Sequence, residues 1–326
     1  MRQTLRNQER LCSIDTALAD IVARRPALAD IATAFALLAK AREAAAQALP
    51  GQSLLGAQPA VAELATGRPL LAELLEGLHT LPDEIVARLH AASALMLPAA
   101  AQAFPALAQD LARVAVLLKG AGPGAGRELV AALLAAIAPG PEDAAPARSI
   151  ETLAQELGLS AIALHVAATE SFMALLFHEA SLLAGRVDQE SWRRPYCPVC
   201  GGGADAGILK EGKEDSEFLV AKAGQLWLHC GQCAALWRFP RLRCVACGCE
   251  DPQQMELLVA EGGQREEQER AHLCLACKTY GTTLNMVDRS DPVNLEMLCM
   301  TLLPLDLLAQ ERGFMPLAPS PWNILS

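Results

Sequence analysis

The chain has 326 residues, of which 52% are apolar and only 4% aromatic, and its formal net charge is −10. That length allows two or three domains, and an alanine- and leucine-rich composition assigns burial to small aliphatic side chains on closely packed helices. The acidic balance gives no electrostatic grip on nucleic acid or on an anionic membrane. The segment Glu190–Arg289 is no exception, with twelve Lys/Arg against fourteen Asp/Glu.

Met1–Leu11 is polar and charged with no apolar run behind it, so no secretory signal is expected. Arg24-Arg25 precedes Pro26 and Asp30 without a small-residue cleavage site, which argues against a twin-arginine signal. Residues up to about 185 predict helices throughout. Apolar positions recur with helical spacing over Ala27–Leu49, Asp83–Leu97, Ala106–Lys119 and Arg127–Ile137. Pro50-Gly51, Gly67 with Pro69, Gly120–Gly126 and Pro139-Gly140-Pro141 punctuate them. The uncharged stretch Ala91–Gln109 is broken by Pro98 and Pro105 and reads as buried helix, not as a membrane span.

Ser149 and Ser160 are expected N-caps of the last helices in this half, with Gly158 between them and Gly185 as a stop. The helix Ala161–Ala184 carries His165, Glu170, His178 and Glu179 among apolar neighbours. They lack His-x-x-x-His ligand spacing, so a polar edge or a hydrogen-bonded core histidine is the expectation.

After the polar linker Asp188–Pro195 the texture turns to short β-like runs. These are Glu217–Ala221, Gln225–His229, Leu236–Phe239, Glu256–Ala260, Ala271–Leu275 and Thr282–Val287. The charged run Arg265–Arg270 reads as a solvated hairpin tip. Asp291-Pro292 predicts the start of a C-terminal helix running through Leu308 to a stop at Gly313, kinked or split at Pro304.

Eight of the eleven cysteines fall into four Cys-x-x-Cys pairs: Cys197/Cys200, Cys230/Cys233, Cys244/Cys247 and Cys274/Cys277. A tight turn aims both sulfurs of such a pair at one point, and two turns complete the tetrahedral S4 shell that Zn2+ or iron accepts. Gly201 and Gly248 end the first knuckle of each presumed unit, while Ala234 and Lys278 end the second. This alternation favours sequential pairing of Cys197/Cys200 with Cys230/Cys233, and of Cys244/Cys247 with Cys274/Cys277, over an interleaved arrangement. Thirty-odd-residue β units have too little core to stand unaided, so the metal reads first as a structural staple. Redox or metal-transfer chemistry is the sharper alternative, with Trp227, Trp237 and Phe239 as candidate walls against solvent. Cys249 is a candidate spare ligand or reactive thiol; Cys12 and Cys299 are expected to be buried hydrophobes on the first and last helices. Reduced thiols arranged for metal indicate a reducing, cytoplasmic setting. The chain carries no P-loop, G-x-S-x-G, H-E-x-x-H or dinucleotide fingerprint, which argues against a conventional enzyme.

The motifs Cys197-Pro-Val-Cys200-Gly201, Leu228-His229-Cys230-x-x-Cys233 through Trp237 to Arg243-Cys244-x-x-Cys247-Gly248, and Cys274-x-x-Cys277-x-x-Tyr280 resemble those of FdhE-type formate dehydrogenase accessory proteins. Leu305–Phe314 adds to the resemblance, which is specific over residues 192–314 and compositional elsewhere. Gly202 departs from it where Ser is usual, as does Gly281-Thr282 where Leu-Lys is usual.

The resemblance implies a multi-domain α+β protein: an all-α domain over 1–187, rubredoxin-like or zinc-ribbon tetrathiolate modules over 188–241 and 242–290, and a C-terminal helix and tail over 291–326. It also implies two bound metal ions, iron rather than zinc, one in each four-cysteine site, and no catalytic residues. The implied role is that of a cytoplasmic chaperone that contacts the catalytic subunit of respiratory formate dehydrogenase during its maturation, with no nucleic-acid partner and no membrane insertion. A zinc-ribbon interaction module and a rubredoxin-like electron-transfer protein are the alternatives.

Overall fold

A computed structural model describes residues 11–56, 61–76, 82–120, 129–131, 133, 149–211, 224–260, 262, 266–287 and 291–323. The expected helix Arg127–Ile137, the glycine-rich and Pro-Gly-Pro punctuation around it and the β-like run Glu217–Ala221 lie wholly or mostly outside the described residues. The chain divides into two compact units. One holds Thr33–Glu63 and Arg68–Arg186; the other holds Met1–Ala32, Leu64–Gly67 and Val187–Ser326.

In chain order the helices are α1 (Ile14–Arg24), α2 (Ala29–Ala48), α3 (Val61–Thr66), α4 (Ala72–Glu76), α5 (Asp83–Ala103), α6 (Ala108–Gly120), α7 (Ile150–Leu157), α8 (Ala161–Leu183) and, after the strands, α9 (Leu298–Glu311). In the first unit α8 packs against α5, α6 and α7. Its start is fixed by Ser160, whose side chain accepts from the Ala163 amide, just as Ser149 caps α7 by accepting from Thr152. Gly158 ends α7 in the left-handed region at φ +59°, a conformation that leaves its amide free to close the last carbonyls. Gly185 is no such stop, because α8 tightens instead into a 3-10 turn at Ala184–Arg186.

The polar residues of α8 are structural. The His178 ring nitrogens lie 2.8 Å from the Ala46 and Pro50 carbonyl oxygens, at and beyond the C-terminal turn of α2 where helix carbonyls lack partners. Glu179 is fully buried and accepts from Arg88, Ser53 and the Leu54 amide, while Glu170 pairs with Arg42 at 3.3 Å. His165 is exposed. Over Ala161–Arg186 the chain is long and apolar enough to cross a bilayer, but 56% of that window is buried within the fold. Pro105 stands at the break between α5 and α6, which pass the same test only as a pair bent by 118°.

The second unit is built on one seven-stranded mixed sheet. Its strands are β1 (Ala204–Lys210), β2 (Gln225–Cys230), β3 (Leu236–Phe239), β4 (Met255–Val259), β5 (Glu269–Cys274), β6 (Thr279–Asn285) and β7 (Met315–Pro316). The order is β3-β2-β1-β6-β5-β4, with β7 parallel to the start of β6. Each cysteine module contributes an antiparallel three-strand meander, and the two meanders join where β1 runs parallel to β6 at Gly207↔Thr283, Ile208↔Leu284 and Leu209↔Asn285. A Cβ on Gly207 would stand 3.0 Å from the Thr283 methyl and 3.1 Å from Leu226, so glycine lets the strands approach here.

Helix α9 closes one face of this sheet. Leu298, Leu302, Leu305 and Ala309 recur on a single helical stripe and pack with Ala206, Ile208, Ala271, Leu273, Tyr280 and Leu284 of the sheet. The helix opens at Leu298, later than Asp291-Pro292 suggests. Val293 instead pairs with Leu11 as a bridge, and the Asn294 side chain accepts from the Met297 amide. Pro304 does not split it, since the apolar stripe holds the helix to the sheet on both sides of the proline. Gly313, at φ +81°, ends it with Gly313 N–H to Gln310 O and Phe314 N–H to Ala309 O, the paired bonds of a Schellman motif.

Helix α1 belongs to this same unit, which differs from the boundaries expected from the sequence. Arg24 and Arg25 both clamp the fully buried Glu269 on β5, and Arg25 also reaches the Thr301 carbonyl on α9. A buried carboxylate needs such partners. The arginine pair that a sequence scan compares with an export signal therefore closes the sheet's own charge balance.

Candidate metal centres

The structure gathers the eight pair-forming cysteines into two groups, Cys197/Cys200/Cys230/Cys233 and Cys244/Cys247/Cys274/Cys277, with all sulfurs of a group within 4.8 Å of one another. The first and third pairs are not brought together. Between paired knuckles the sulfurs stand 3.6 Å apart for Cys197–Cys233, 3.5 Å for Cys200–Cys230, and 3.7 Å for both Cys244–Cys277 and Cys247–Cys274. A metal at about 2.3 Å from each of four sulfurs sets a tetrahedral edge of about 3.8 Å, so both groups have the dimensions of an S4 site.

Each knuckle is a turn that the local sequence permits. Cys197 N–H donates to Gly202 O and Gly201 N–H to Cys197 O; Cys244 N–H donates to Cys249 O and Gly248 N–H to Cys244 O. The residue that closes each turn lies in the left-handed region: Gly201 at φ +80°, Gly248 at +75°, Ala234 at +59° and Lys278 at +57°. Ala234 and Lys278 are the only described non-glycine residues with positive φ, so backbone strain is concentrated at the second cysteine knuckle of each group.

Amides point at the sulfurs. Val199 N–H donates to Cys197 Sγ and Gly202 N–H to Cys200 Sγ, each at 3.4 Å. Such donors favour thiolates. In the first group the Cys230 thiol is held well below its ordinary range by hydrogen bonds from Cys197, Cys200 and Cys233. Contacts with Cys197 foremost, and with Cys230, push Cys200 and Cys233 well above that range. In the second group burial pushes Cys244 up to about 12, whereas Cys277, despite its desolvation, comes down to about 7 through hydrogen bonds with Thr279, Cys247 and Cys274 together. Four thiolates at these spacings coexist only around a cation, which is the chemistry of a tetrathiolate metal site.

Trp237 is fully buried, and its indole N–H donates to Arg194 O at 3.0 Å, tying β3 to the segment before the first knuckle. Phe239 is also buried; Trp227 is half-buried, with the Lys210 ammonium 4.9 Å from its ring centre. A Cβ on Gly202 would stand 2.7 Å from Gln232 Oε1 and 3.2 Å from Cys200 Sγ. Glycine at this position thus makes room for the Gln232 amide over the first sulfur cluster.

Sequence reading missed a polar cluster behind the first site. His229, adjacent to Cys230, bonds Asp205 at 2.7 Å and faces Glu296 at 3.9 Å. Although burial opposes its charge, these two carboxylates raise the imidazole well above its ordinary range. Nearby, Tyr280 donates to Asp306 at 2.7 Å; burial pushes the Asp306 carboxyl up to about 7, with Asp205 adding to the effect. An isolated Asp in the middle of an apolar helix stripe was the only sequence signal.

Cys249 is half-buried and lies outside both sulfur groups. Cys12 sits ahead of α1 rather than on it, and both Cys12 and Cys299 are half-buried rather than fully buried.

No protein-family model matches the chain. Three curated proteins described as FdhE homologues are similar to it: one from Aquifex aeolicus at 27% identity over 130 residues, one from Pseudomonas aeruginosa at 31% over 94, and one from Pectobacterium carotovorum at 27% over 138. These alignments cover 40%, 28% and 41% of this chain and 42%, 28% and 40% of the respective relatives, less than half of each. The crystal structure of the FdhE protein from Pseudomonas aeruginosa superposes with a TM-score of 0.59 at 20% identity, covering 94% of this chain and 93% of that one. The chain is thus similar in sequence to FdhE homologues over less than half of its length, and it shares its fold with the FdhE protein from Pseudomonas aeruginosa over nearly all of it.

Proposed function

We propose that this protein is a non-catalytic accessory factor for formate dehydrogenase, acting in the cytoplasm on the catalytic subunit during its maturation and holding one metal ion in each tetrathiolate group. The observation that carries the reading is the pair of S4-sized cysteine clusters on a fold shared with an FdhE protein. The ligands would be Cys197, Cys200, Cys230 and Cys233 in one site and Cys244, Cys247, Cys274 and Cys277 in the other. The resemblance favours iron; the donor set accepts iron or zinc.

A site closed by four thiolates offers no open position for a hydrolytic water. Its contribution is to folding and recognition, and with iron to one-electron exchange. Each site can supply on the order of 10–16 kcal/mol to the small β module that it clamps. The test is to inactivate the gene and assay cellular formate dehydrogenase. Activity is expected to fall and to return with the wild-type chain, but not with Cys197→Ser/Cys200→Ser. Full activity in the disrupted strain would rule the reading out.

A further inference from the structure

The two sulfur groups are built alike but shielded unequally. In the first, all four cysteines are at most 5% exposed, and the Gln232 side chain lies over Cys200 at 3.9 Å. In the second, Cys247 is exposed and Cys277 half-buried. A cavity of about 70 Å3 on the sheet reaches Cys244 and Cys274 of the second group and no cysteine of the first, with Arg241 and Arg243 in its lining.

The knuckles also differ at one matched position. Gly202 and Cys249 each stand five residues beyond the first cysteine of their module, and each accepts that cysteine's amide through its carbonyl. Gly202 also donates its own amide to the second cysteine of its knuckle, Cys200, at 3.4 Å. A Cβ at position 202 would stand 3.2 Å from Cys200 Sγ. At the matched position of the second module a Cβ is present and carries a thiol. Cys249 is therefore rooted beside the most exposed ligand of the second group while remaining outside that group.

We propose that the second site is a metal-exchange site in which Cys249 serves as the incoming fifth thiol, whereas the first is a closed structural site. This rests on the reading that both groups hold metal. Cys249 gives its proton to solvent and forms a metal–sulfur bond as the metal–sulfur bond of Cys247 breaks. The freed Cys247 thiolate takes up a proton, so thiolate count and charge at the metal are unchanged. The displaced and exposed Cys247 then leaves that side of the metal open to an outside thiolate acceptor. Two arginines in the adjoining cavity suit an anionic one.

The test uses the full chain loaded with Zn2+ and challenged with the chromogenic chelator 4-(2-pyridylazo)resorcinol. Metal release is followed by absorbance, and iodoacetamide labelling during release is mapped by peptide mass spectrometry. Two ions per chain are expected to leave in two phases, one each, with labelling of Cys247 and Cys249 in the fast phase and of the first group only in the slow one. Cys249→Ser should slow the fast phase about tenfold or more, a hydroxyl being a poor ligand for a soft-ligand site, and leave the slow phase unchanged. A single phase for both ions, early labelling of the first group, or a fast phase indifferent to Cys249→Ser each overturns the inference. Fewer than two bound ions at the outset would instead refute the metal reading on which it stands.

Discussion

Replacing Glu179 by Gln separates a structural carboxylate from a working one. Glu179 has no exposed surface and accepts from Arg88 Nη1 at 2.9 Å, Ser53 Oγ at 2.6 Å and the Leu54 amide at 3.0 Å. Arg88 is 2% exposed, and its other carboxylate partner, Glu84, is 62% exposed at the side chain. The amide keeps an acceptor for Ser53 and Leu54 but abandons the buried guanidinium. Breaking a buried pair from one side costs about 3–5 kcal/mol, because the remaining ion stays desolvated.

Urea unfolding with the m-value checked for constancy is the assay. At about 2–4 °C per kcal/mol for a unit of this size, the melting temperature should drop by roughly 10 °C. Adding Arg88→Met removes the stranded cation, so the double variant should recover most of the loss and show a coupling well above the error of the cycle. A cost below about 1 kcal/mol for Glu179→Gln, or strict additivity in the double variant, would refute the reasoning. A loss of accessory activity with stability intact would give Glu179 a chemical role instead.

Other consequences are measurable in the same way. Ala234→Gly should stabilise the metal-loaded protein by up to about 1 kcal/mol by relieving a left-handed backbone. Lys278→Gly should gain less, since the Lys278 ammonium lies 5.1 Å from the Phe314 ring centre and that contact is lost; thermal melts of the two variants compare them directly. Asp306 binds its proton more tightly folded than unfolded, so its contribution to stability falls as pH rises from about 4 to about 7; the difference between wild type and Asp306→Asn across that window should shift in favour of the variant, and a flat difference would contradict it. Leu305→Ala, under the sheet, should cost about 2.7–5 kcal/mol by cavity formation, read from urea midpoints. Gly202→Ser should displace Gln232 and speed chelation from the first site, a change visible in metal-release kinetics.

The parts legible in the sequence are those governed by short-range rules. Cys-x-x-Cys spacing, the serine caps at 149 and 160, Gly158 and Gly313 all depend on a few neighbouring residues, and all take the expected geometry. Strands β2 to β6 were visible within a few residues. Strand β1 was not, because Gly201, Gly202 and Gly203 precede it and Gly207 interrupts it, and both features read locally as turn. Its identity as a strand comes from pairing across long sequence distances with β2 and β6, which also fuses two expected modules into one sheet. The place of α1 was hidden for the same reason: it is set by Arg24 and Arg25 meeting Glu269, about 245 residues away. The unequal shielding of the two cysteine groups is likewise tertiary, since their spacings are nearly identical.

The most direct test of the central claim is affinity capture of the tagged protein from anaerobically grown cells, with the formate dehydrogenase catalytic subunit sought among the bound proteins by mass spectrometry. The account predicts recovery of that subunit with the wild-type chain, and its loss with Cys197→Ser/Cys200→Ser. Failure to recover it from cells that contain it, or equal recovery with a control bait, would contradict the account.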